Sequence, residues 1–197
     1  GSGISGSTIA NLLNKKNSVE VFDKARGPGG RSSFKRLDND QGFDHGMQYI
    51  CPKNLKFKKF VNTLIKKKIL KKWAGKHIYL KKGEKKNHEK IIGVKGNNDI
   101  SKFLLKKINI SYQSEVKKIE YKNKFWNLKF ANGELKIVKR LILTCPFPQL
   151  VKLSKKFIHH PFINKRLRMD ANITVMIAIK KNKMKPSSYL FNDKILG

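Results

Sequence analysis

The sequence predicts a mixed α/β fold, and two features of the chain indicate it. The chain opens with glycines spaced G-x-G-x-x-G, at Gly1, Gly3 and Gly6, and a helical stretch and a β-prone run over 19–22 follow. Further along, short apolar runs that suit strands alternate with amphipathic helical stretches. A glycine-rich turn that opens a helix, within alternating strands and helices, is typical of a Rossmann-like dinucleotide-binding domain.

The glycine turn is suited to binding a pyrophosphate. Gly1 permits the tight turn, Gly3 lets a phosphate approach the backbone, and Gly6 lets the helix pack closely on the sheet. Ile4 and Ser5 complete the predicted phosphate site, because a helix N-terminus offers unpaired N–H groups and a partial positive charge. A flexible glycine-serine terminus is the alternative reading of the same residues.

Asp23 favours the nucleotide site over a flexible terminus. It follows the run 19–22 and lies about 20 residues after the glycines, where an acid hydrogen-bonds a ribose hydroxyl. The apolar residues Ile9, Leu12 and Leu13 fall at helical spacing between the two features. Because such a turn follows a buried central strand, we expect that strand to be missing before Gly1.

A family resemblance is carried by two stretches, DKARGPGGRSS at 23–33 and GFDHGMQY at 42–49. The chain resembles the FAD-dependent oxidoreductases of the glutathione-reductase-like group, in the branch of the amine oxidases, phytoene desaturases and renalase-like flavoproteins. Further matches occur in the family's order at Trp73, 92–96, 125–128, 143–149 and 169–170. The chain departs from the family pattern at Met47, Lys95, Asn97, Asn98 and Cys145, and these departures bear on the substrate more than on the cofactor.

The resemblance implies FAD as the cofactor and no metal. Because members of the family are longer and close the flavin site with a C-terminal segment, it also implies that such a segment is missing after Gly197. The implied FAD contacts are Gly1, Gly3, Ile4, Ser5, Gly6, Asp23, Lys24, Gly29, Gly30, Arg31, Ser32, Gly46, Met47, Gln48 and, through its backbone at the adenine, Val116. On the substrate side the candidates are Gln48, Tyr49 and His45. For His45 there are two interpretations, a general base or a histidine hydrogen-bonded within a loop beneath the cofactor.

The resemblance and the element pattern together predict two interleaved domains. Residues 1–50 and 110–150 would form the FAD/NAD(P)-binding Rossmann-like domain, and residues 51–109 and 151–197 a smaller substrate domain of mostly antiparallel strands plus helices. The predicted helices are 52–68, 100–108 and 149–156. The predicted strands are 69–80 in short pieces, one near Ile91, 109–112, 115–121, 125–130, 134–143 with a buried parallel segment at 141–143, and 173–179 after an opening at 169–170. Trp126, Leu128 and Phe130 alternate with Asn127 and Lys129, which predicts one buried face for strand 125–130. Asn132 and Gly133 predict a type I′ hairpin turn.

The net charge of +32 raises the question of nucleic acid as a partner. Lysine supplies 39 of the 45 basic residues, spread along the whole chain, and asparagine and isoleucine are also abundant. This composition is typical of AT-rich coding sequence, so we predict no specific nucleic-acid partner. The basic side of helix 52–68 is interpreted as a solvated lysine face rather than a membrane-binding surface.

Cysteine content and hydropathy narrow the class of protein further. Cys51 and Cys145 are far apart and form neither a disulfide framework nor a metal motif. No stretch resembles a signal peptide or an apolar membrane span, so a cytoplasmic protein is expected. The sequence leaves the oligomeric state open.

Three functions are compatible with these observations. The resemblance favours a renalase-like oxidase of reduced nicotinamide dinucleotide isomers, with a small-molecule substrate related to NAD(P)H and oxygen as the acceptor. An amine oxidase or desaturase on the same fold is the nearest alternative. A cofactor-less basic fragment that binds polyanions is the alternative from another class.

Overall fold

The computed structural model describes residues 1–37, 42–74, 76–81, 84–87, 89–158, 169–170, 172–177 and 187–191. The helices in this part of the chain are α1 (Ile4–Leu13), α2 (Leu55–Lys66), α3 (Asp99–Leu105) and α4 (Phe147–Ser154), with a short 3₁₀ helix at Gly30–Ser32. The strands are β1 (Glu20–Phe22), β2 (Phe34–Arg36), β3 (Gly42–Asp44), β4 (Leu70–Lys72), β5 (Lys76–Lys81), β6 (Glu84–Asn87), β7 (Ile91–Gly93), β8 (Asn109–Ser111), β9 (Val116–Lys122), β10 (Phe125–Phe130), β11 (Leu135–Val138) and β12 (Ser187–Phe191).

The strands form small sheets, and the predicted α/β class is confirmed. β1 pairs in parallel with β8, with Val21 opposite Ile110. β9, β10 and β11 form an antiparallel meander. β2 pairs with β3 and β4 pairs with β7, both antiparallel, while β5 lies between β12 and β6. The Gly1 amine donates to the Phe22 carbonyl at 2.7 Å, so the glycine turn adjoins the parallel pair. The division into two domains stays a prediction.

Helix α1 packs through small residues, which the apolar spacing did not predict. Leu12 is 60% exposed and Leu13 38% exposed, whereas Gly6, Ser7 and Ala10 are buried. The buried side faces α3, because a side with little bulk allows two helices to approach closely. Hydrogen bonds tie this contact, from the Ser7 hydroxyl to the Ser101 hydroxyl (3.3 Å) and from the Asn11 amide to the Leu104 carbonyl (2.8 Å).

Two buried clusters account for most of the apolar core described. The larger joins α2, α3, β4 and β7, and consists of Ile50, Val61, Leu64, Leu70, Ile91, Ile100 and Leu104. Ile4 from the glycine turn and Met47 pack against it, so this core supports the predicted site from beneath. The second cluster consists of Ile119, Leu128 and Phe130 in the meander. It confirms the predicted one-sided burial of β10.

Helix α2 begins three residues later than the predicted start, at Leu55 rather than at position 52. The cause is Asn54, whose side-chain oxygen accepts hydrogen bonds from the backbone N–H groups of Lys56 (2.9 Å) and Phe57 (3.4 Å). An asparagine in this position satisfies donors that would otherwise lack partners, and so fixes the first turn.

The predicted strand 134–143 is wrong in its second half. β11 ends at Val138, which pairs with Trp126 of β10. Because β10 begins only one residue before Trp126, at Phe125, the residues after Val138 have almost no β10 backbone left to pair with. Leu141 and Leu143 pack against the meander cluster, but Ile142 is 53% exposed. Within the described ranges, no strand pairs with 141–143.

The predicted strand 173–179 is also wrong for the residues that the structure describes. Residues 172–177 are in neither a helix nor a strand, and residues 178–179 lie outside the described part. Ile173 is 95% exposed and Val175 is 77% exposed, so these alternating apolar side chains are not packed against the described part of the chain. Met169 and Asp170 likewise open no strand.

The type I′ turn occurs at a different hairpin from the one predicted. Gly133 alone has positive φ (88°) in the β10–β11 connection, and Phe130 N–H bonds the Glu134 carbonyl across three loop residues. This is a longer loop with glycine in the left-handed position. In the β9–β10 connection, Asn123 (φ 51°) and Lys124 (φ 65°) both have positive φ, as a two-residue type I′ turn requires.

Replacing Lys124 with glycine is expected to raise the free energy of unfolding by up to about 1 kcal/mol. A lysine with φ of 65° is strained, and asparagine followed by glycine is the preferred type I′ pair. Chemical denaturation of both proteins measures the difference. The control is Asn127→Gly in the middle of β10, paired on both sides, which should destabilise. A loss of stability in Lys124→Gly would contradict the turn assignment.

Candidate nucleotide-binding site

Two glycine loops meet at the N-terminus of α1. Gly3 and Gly29 form a parallel bridge, and Gly29 N–H donates to the Ser2 carbonyl at 3.0 Å. Gly29 (φ 127°) and Gly30 (φ 54°) both have positive φ, a conformation that favours glycine. A β-carbon on Gly30 would lie 3.1 Å from Gly3 Cα and 3.7 Å from Gly3 N. The absence of that side chain therefore leaves the backbone of the turn open to a ligand.

The start of α1 has the features of an anion site. Gly3 is the N-cap residue and no described side chain caps the helix, so the first backbone N–H groups have no side-chain acceptor. Ser5 is exposed beside them. Ile4 directs its side chain into the larger core cluster, so only its backbone can serve a ligand. Helix N-termini of this kind attract phosphate groups.

Gly6 marks the closest backbone approach in the turn. A β-carbon at this position would lie 1.9 Å from the Gly1 carbonyl oxygen and 2.8 Å from Thr144 Oγ1. Thr144 itself donates from its hydroxyl to the Gly1 carbonyl at 3.3 Å. Thr144 was not among the site residues predicted from the sequence. Its place directly after the apolar run 141–143, where a polar residue ends a predicted strand, was the available signal.

Asp23 is held rigidly at the end of β1. Its Oδ2 accepts from Ser2 N (2.5 Å) and from the Ser2 hydroxyl (2.6 Å), and its Oδ1 accepts from Ala25 N (2.8 Å). Burial opposes ionisation, but these hydrogen bonds outweigh it and hold the pKa of Asp23 below its ordinary value. An ionised carboxylate has about four acceptor positions, so about one remains for a ligand hydroxyl.

The Asp23→Asn variant is expected to be less stable than the wild type near neutral pH. In acid the two proteins should become equally stable. Because the pKa of Asp23 is depressed on folding, its ionised form stabilises the fold above its ordinary pKa of about 3.9. That contribution is lost as the pH falls through the folded value. Thermal unfolding midpoints of both proteins between neutral pH and strong acid measure it. A constant difference over that range would contradict the assigned role.

The second glycine loop is braced by backbone contacts rather than by the side chain of Arg31. Ser32 is buried, and its hydroxyl donates to the Gly29 carbonyl at 2.8 Å. The Arg31 carbonyl accepts Met47 N–H at 2.9 Å, and a β-carbon on Gly46 would lie 2.2 Å from that carbonyl oxygen. The guanidinium of Arg31 is exposed, as is Lys24, so both remain available to a ligand.

Asn97 joins three parts of the site, although the sequence analysis named it only as a departure from the family pattern. It is fully buried. Its Oδ1 accepts from Gly93 N (2.9 Å), its Nδ2 donates to the Met47 carbonyl (2.6 Å), and its backbone N–H donates to Asp44 Oδ1 (2.7 Å). Burial raises the pKa of Asp44, with the Asn97 hydrogen bond opposing it. No sequence signal distinguishes a buried asparagine from an exposed one.

Asn98 lies at the back of the second glycine loop. Its Cβ would be 2.8 Å from a β-carbon on Gly29, so glycine is required there for space as well as for φ. Its Nδ2 lies 3.4 Å from the Pro28 carbonyl. Its Oδ1 is buried and has no hydrogen-bond partner in the described part of the chain.

His45 lies between two segments and is half-buried. Its Nε2 is 3.2 Å from the Ser33 hydroxyl, and its carbonyl accepts from the Thr174 hydroxyl at 2.9 Å. The hydrogen bond of the imidazole is compatible with the second interpretation above, and the role of His45 stays a prediction.

The predicted substrate-side residues lie beside a cluster of rings. Gln48 is exposed, and Tyr49 is half-buried with its ring centroid 6.3 Å from that of Trp73. Val116 opens β9, and Ser114 just before it donates to the Asp23 carbonyl at 2.9 Å, so this segment adjoins the end of β1. The assignment of Gln48, Tyr49 and Val116 to ligand contacts stays a prediction.

Comparison with known proteins supports the fold that this geometry indicates. A sequence model described as an NAD(P)-binding Rossmann-like domain matches residues 1–64. The chain is similar to a proposed protoporphyrinogen oxidase from Exiguobacterium sp. 255-15, with a TM-score of 0.63, 11% identity, and coverage of 84% of this chain and 62% of that one. It is also similar to a putrescine oxidase with three substitutions that redesign cofactor binding, with a TM-score of 0.58, 12% identity, and coverage of 78% and 58%.

These likenesses establish the fold, and the chain spans less than two thirds of the length of either structure. The chain thus has a mixed α/β fold with a Rossmann-like nucleotide-binding domain and small antiparallel sheets. Among the described residues, no helix combines the length and apolar character needed to cross a bilayer. The same residues contain no cluster of three or more His, Cys, Asp or Glu side chains placed to hold a metal, and Cys51 and Cys145 are free thiols.

Proposed function

We propose that this chain is the nucleotide-binding part of an FAD-dependent oxidoreductase. The observation that carries the proposal is the contact between the two glycine loops, with Gly30 directly against Gly3 and Asp23 held close by through Ser2. A single glycine turn would suit many nucleotides. Two turns that meet over one helix N-terminus suit a pyrophosphate, which needs donors along both phosphates.

Residues of this chain fit the pyrophosphate, the ribose and the adenine of FAD. The N-terminal N–H groups of α1 and the backbone at Gly29 and Gly30 would bind the pyrophosphate, and the remaining acceptor position of Asp23 would take a ribose hydroxyl. Arg31, exposed at the loop, would add a cation to the phosphates. The backbone near Val116 would lie at the adenine, as in the resembled family.

FAD, when bound, accepts a hydride from a donor at its isoalloxazine ring. The chain's own part is to orient and shield that ring. The segment 46–49 is anchored through Met47, whose N–H and carbonyl are held by Arg31 and Asn97. The exposed Gln48 and the half-buried Tyr49 would then meet the substrate, positioning a planar group rather than exchanging a proton with it.

For the substrate we propose a reduced nicotinamide dinucleotide isomer, with oxygen as the acceptor. The support is the ordered series of renalase-like motifs, above all the stretch 42–49, and a net charge of +32, which attracts a phosphorylated substrate. The putrescine oxidase likeness keeps amines as the competing substrate class.

The test is the visible spectrum of the natively purified protein, followed by identification of the nucleotide that denaturation releases. An oxidised-flavin spectrum and released FAD are expected. Bleaching under anaerobic conditions by reduced-nicotinamide isomers, and not by putrescine, would support the proposed substrate. If the full-length protein that contains this chain carries no flavin, the oxidoreductase proposal is wrong.

A further inference from the structure

A cleft lies between the end of α2 and the helix α3. It encloses about 510 Å³, within the range of about 300–1,000 Å³ that small-molecule sites occupy. The Val94 N–H donates to the Ile69 carbonyl at 3.0 Å and joins two of the segments that line the cleft. Five of the lining residues are lysines, and we call the cavity the lysine cleft: Lys67, Lys68, Lys95, Lys102 and Lys106.

The charges of the lysine cleft are unbalanced. Asp99 is the one carboxylate among the described residues that line it. Its Oδ1 accepts from the Lys102 ammonium at 3.0 Å and its Oδ2 from the Lys95 backbone N–H at 2.8 Å, so both oxygens are engaged. The other four lysines are exposed, and within the described part of the chain none of their ammonium groups forms an ion pair. A cleft lined by charges of one sign concentrates the electric field and attracts ions of the opposite sign.

The wall beside these lysines is apolar. Ile69 and Phe103 are half-buried where they pack against the larger core cluster, and Val94 is 40% exposed. The Lys67 ammonium lies 6.0 Å from the centroid of the Phe103 ring, so positive charge and apolar surface adjoin. An inorganic anion would contact the lysines and leave the apolar wall in water. A ligand that combines phosphate groups with a ring would use both surfaces.

We propose that the lysine cleft binds a nucleoside polyphosphate, with its phosphates on the ammonium groups and its base or sugar against the apolar wall. Lysines at the ends of α2 and α3 also favour the helix dipoles, but a dipole does not explain why they share one cavity with Lys95. None of the lining residues is a predicted FAD contact. The inference therefore goes beyond the proposed function and does not depend on it.

The test is a titration of the natively purified protein with magnesium-free ATP, followed by NMR through the backbone amides of Ile69 and Val94. These amides belong to the cleft, whereas those of Gly3 and Gly30 report separately on the glycine turn. ATP should bind at the cleft about tenfold more tightly than inorganic triphosphate, and at least about tenfold more tightly than adenosine. Equal affinity for ATP and either of the other two compounds would overturn the proposal, because one of the two surfaces would then contribute nothing.

Lys68→Gly separates a loss of binding from a loss of folding. Lys68 has a φ of 58° directly after the last residues of α2, where glycine is usual. Lys68→Gly should therefore unfold at a higher denaturant concentration than the wild type, while it removes one ammonium group from the cleft. Its affinity for ATP should fall about three- to tenfold, and that of the double variant Lys95→Gln/Lys106→Gln about tenfold or more.

The double variant Lys58→Gln/Lys59→Gln is the matched control, since both lysines are exposed on α2 and neither lines the cleft. It removes as much charge as the double variant of the cleft, and it should lower the affinity for ATP by less than about twofold, because salt screens distant charges. An equal fall in the control and in the cleft variants would reflect the net charge of +32 alone and would overturn the site. Unchanged affinity in both cleft variants would overturn it as well.

Discussion

Replacing Gly6 with alanine is expected to abolish FAD binding and to lower the free energy of unfolding by about 1–3 kcal/mol. The new β-carbon would lie 1.9 Å from the Gly1 carbonyl oxygen, which is backbone and has no rotamer to change. The turn must therefore open, and α1 must move away from Thr144 and Ser101. Both movements displace the N–H groups proposed to bind the pyrophosphate.

Flavin content of the purified variant and its denaturant midpoint measure the two effects separately. Gly27→Ala is the matched control, because a β-carbon there has no neighbour within 4 Å. It should retain flavin and wild-type stability to within about 0.5 kcal/mol. If Gly6→Ala behaves like Gly27→Ala, the close approach of α1 to the first residue is wrong.

The second large effect is expected at Asn97, where alanine should cost at least about 1–3 kcal/mol of folding stability. The substitution leaves Gly93 N–H and the Met47 carbonyl without the partners that the buried amide supplies. Each buried polar group without a hydrogen bond costs about 1–3 kcal/mol. Segment 46–49 also loses its anchor, so flavin affinity should fall together with stability.

Equilibrium unfolding in urea measures this loss, with Asn17→Ala as the control. Asn17 is exposed, and its side-chain amide donates to the carbonyl of Leu13, the last residue of α1. The control should change stability by no more than about 0.5 kcal/mol. Equal stability of the two variants would show that Asn97 does not hold the segments together.

The sequence was sufficient to predict the glycine turn, the position of Asp23 and the one-sided β10 strand. Each is a local signal: glycine spacing, an acid after a short β-prone run, and alternation of apolar and polar residues. The largest differences between the predicted and the observed structure came from packing between residues that are distant in the sequence. Leu12 and Leu13 have the spacing of a buried face, yet α1 packs through Gly6, Ser7 and Ala10, because closeness to α3 matters more than apolar bulk there.

The glycines of the candidate site could be predicted from the sequence. The residues that hold those glycines and the neighbouring segments in place could not. Thr144 and Asn97 act through contacts with residues far away in the chain, and asparagine carries no sign of burial in its own neighbourhood. Likewise, 141–143 and 173–177 have the composition of strands, but a strand needs a partner. In the described part of the chain neither run has one.

The parallel pairing of β1 with β8 has a consequence for how quickly the nucleotide site forms. Glu20 pairs with Asn109, and the hydrogen bond from Ser7 to Ser101 spans 94 positions of the chain. The meander β9–β11, in contrast, closes through short hairpins, which form in about 1–10 μs. Contacts across a long loop form only after the entropy of closing it has been overcome. We therefore expect the meander to form early in folding and the glycine turn to reach its final geometry later.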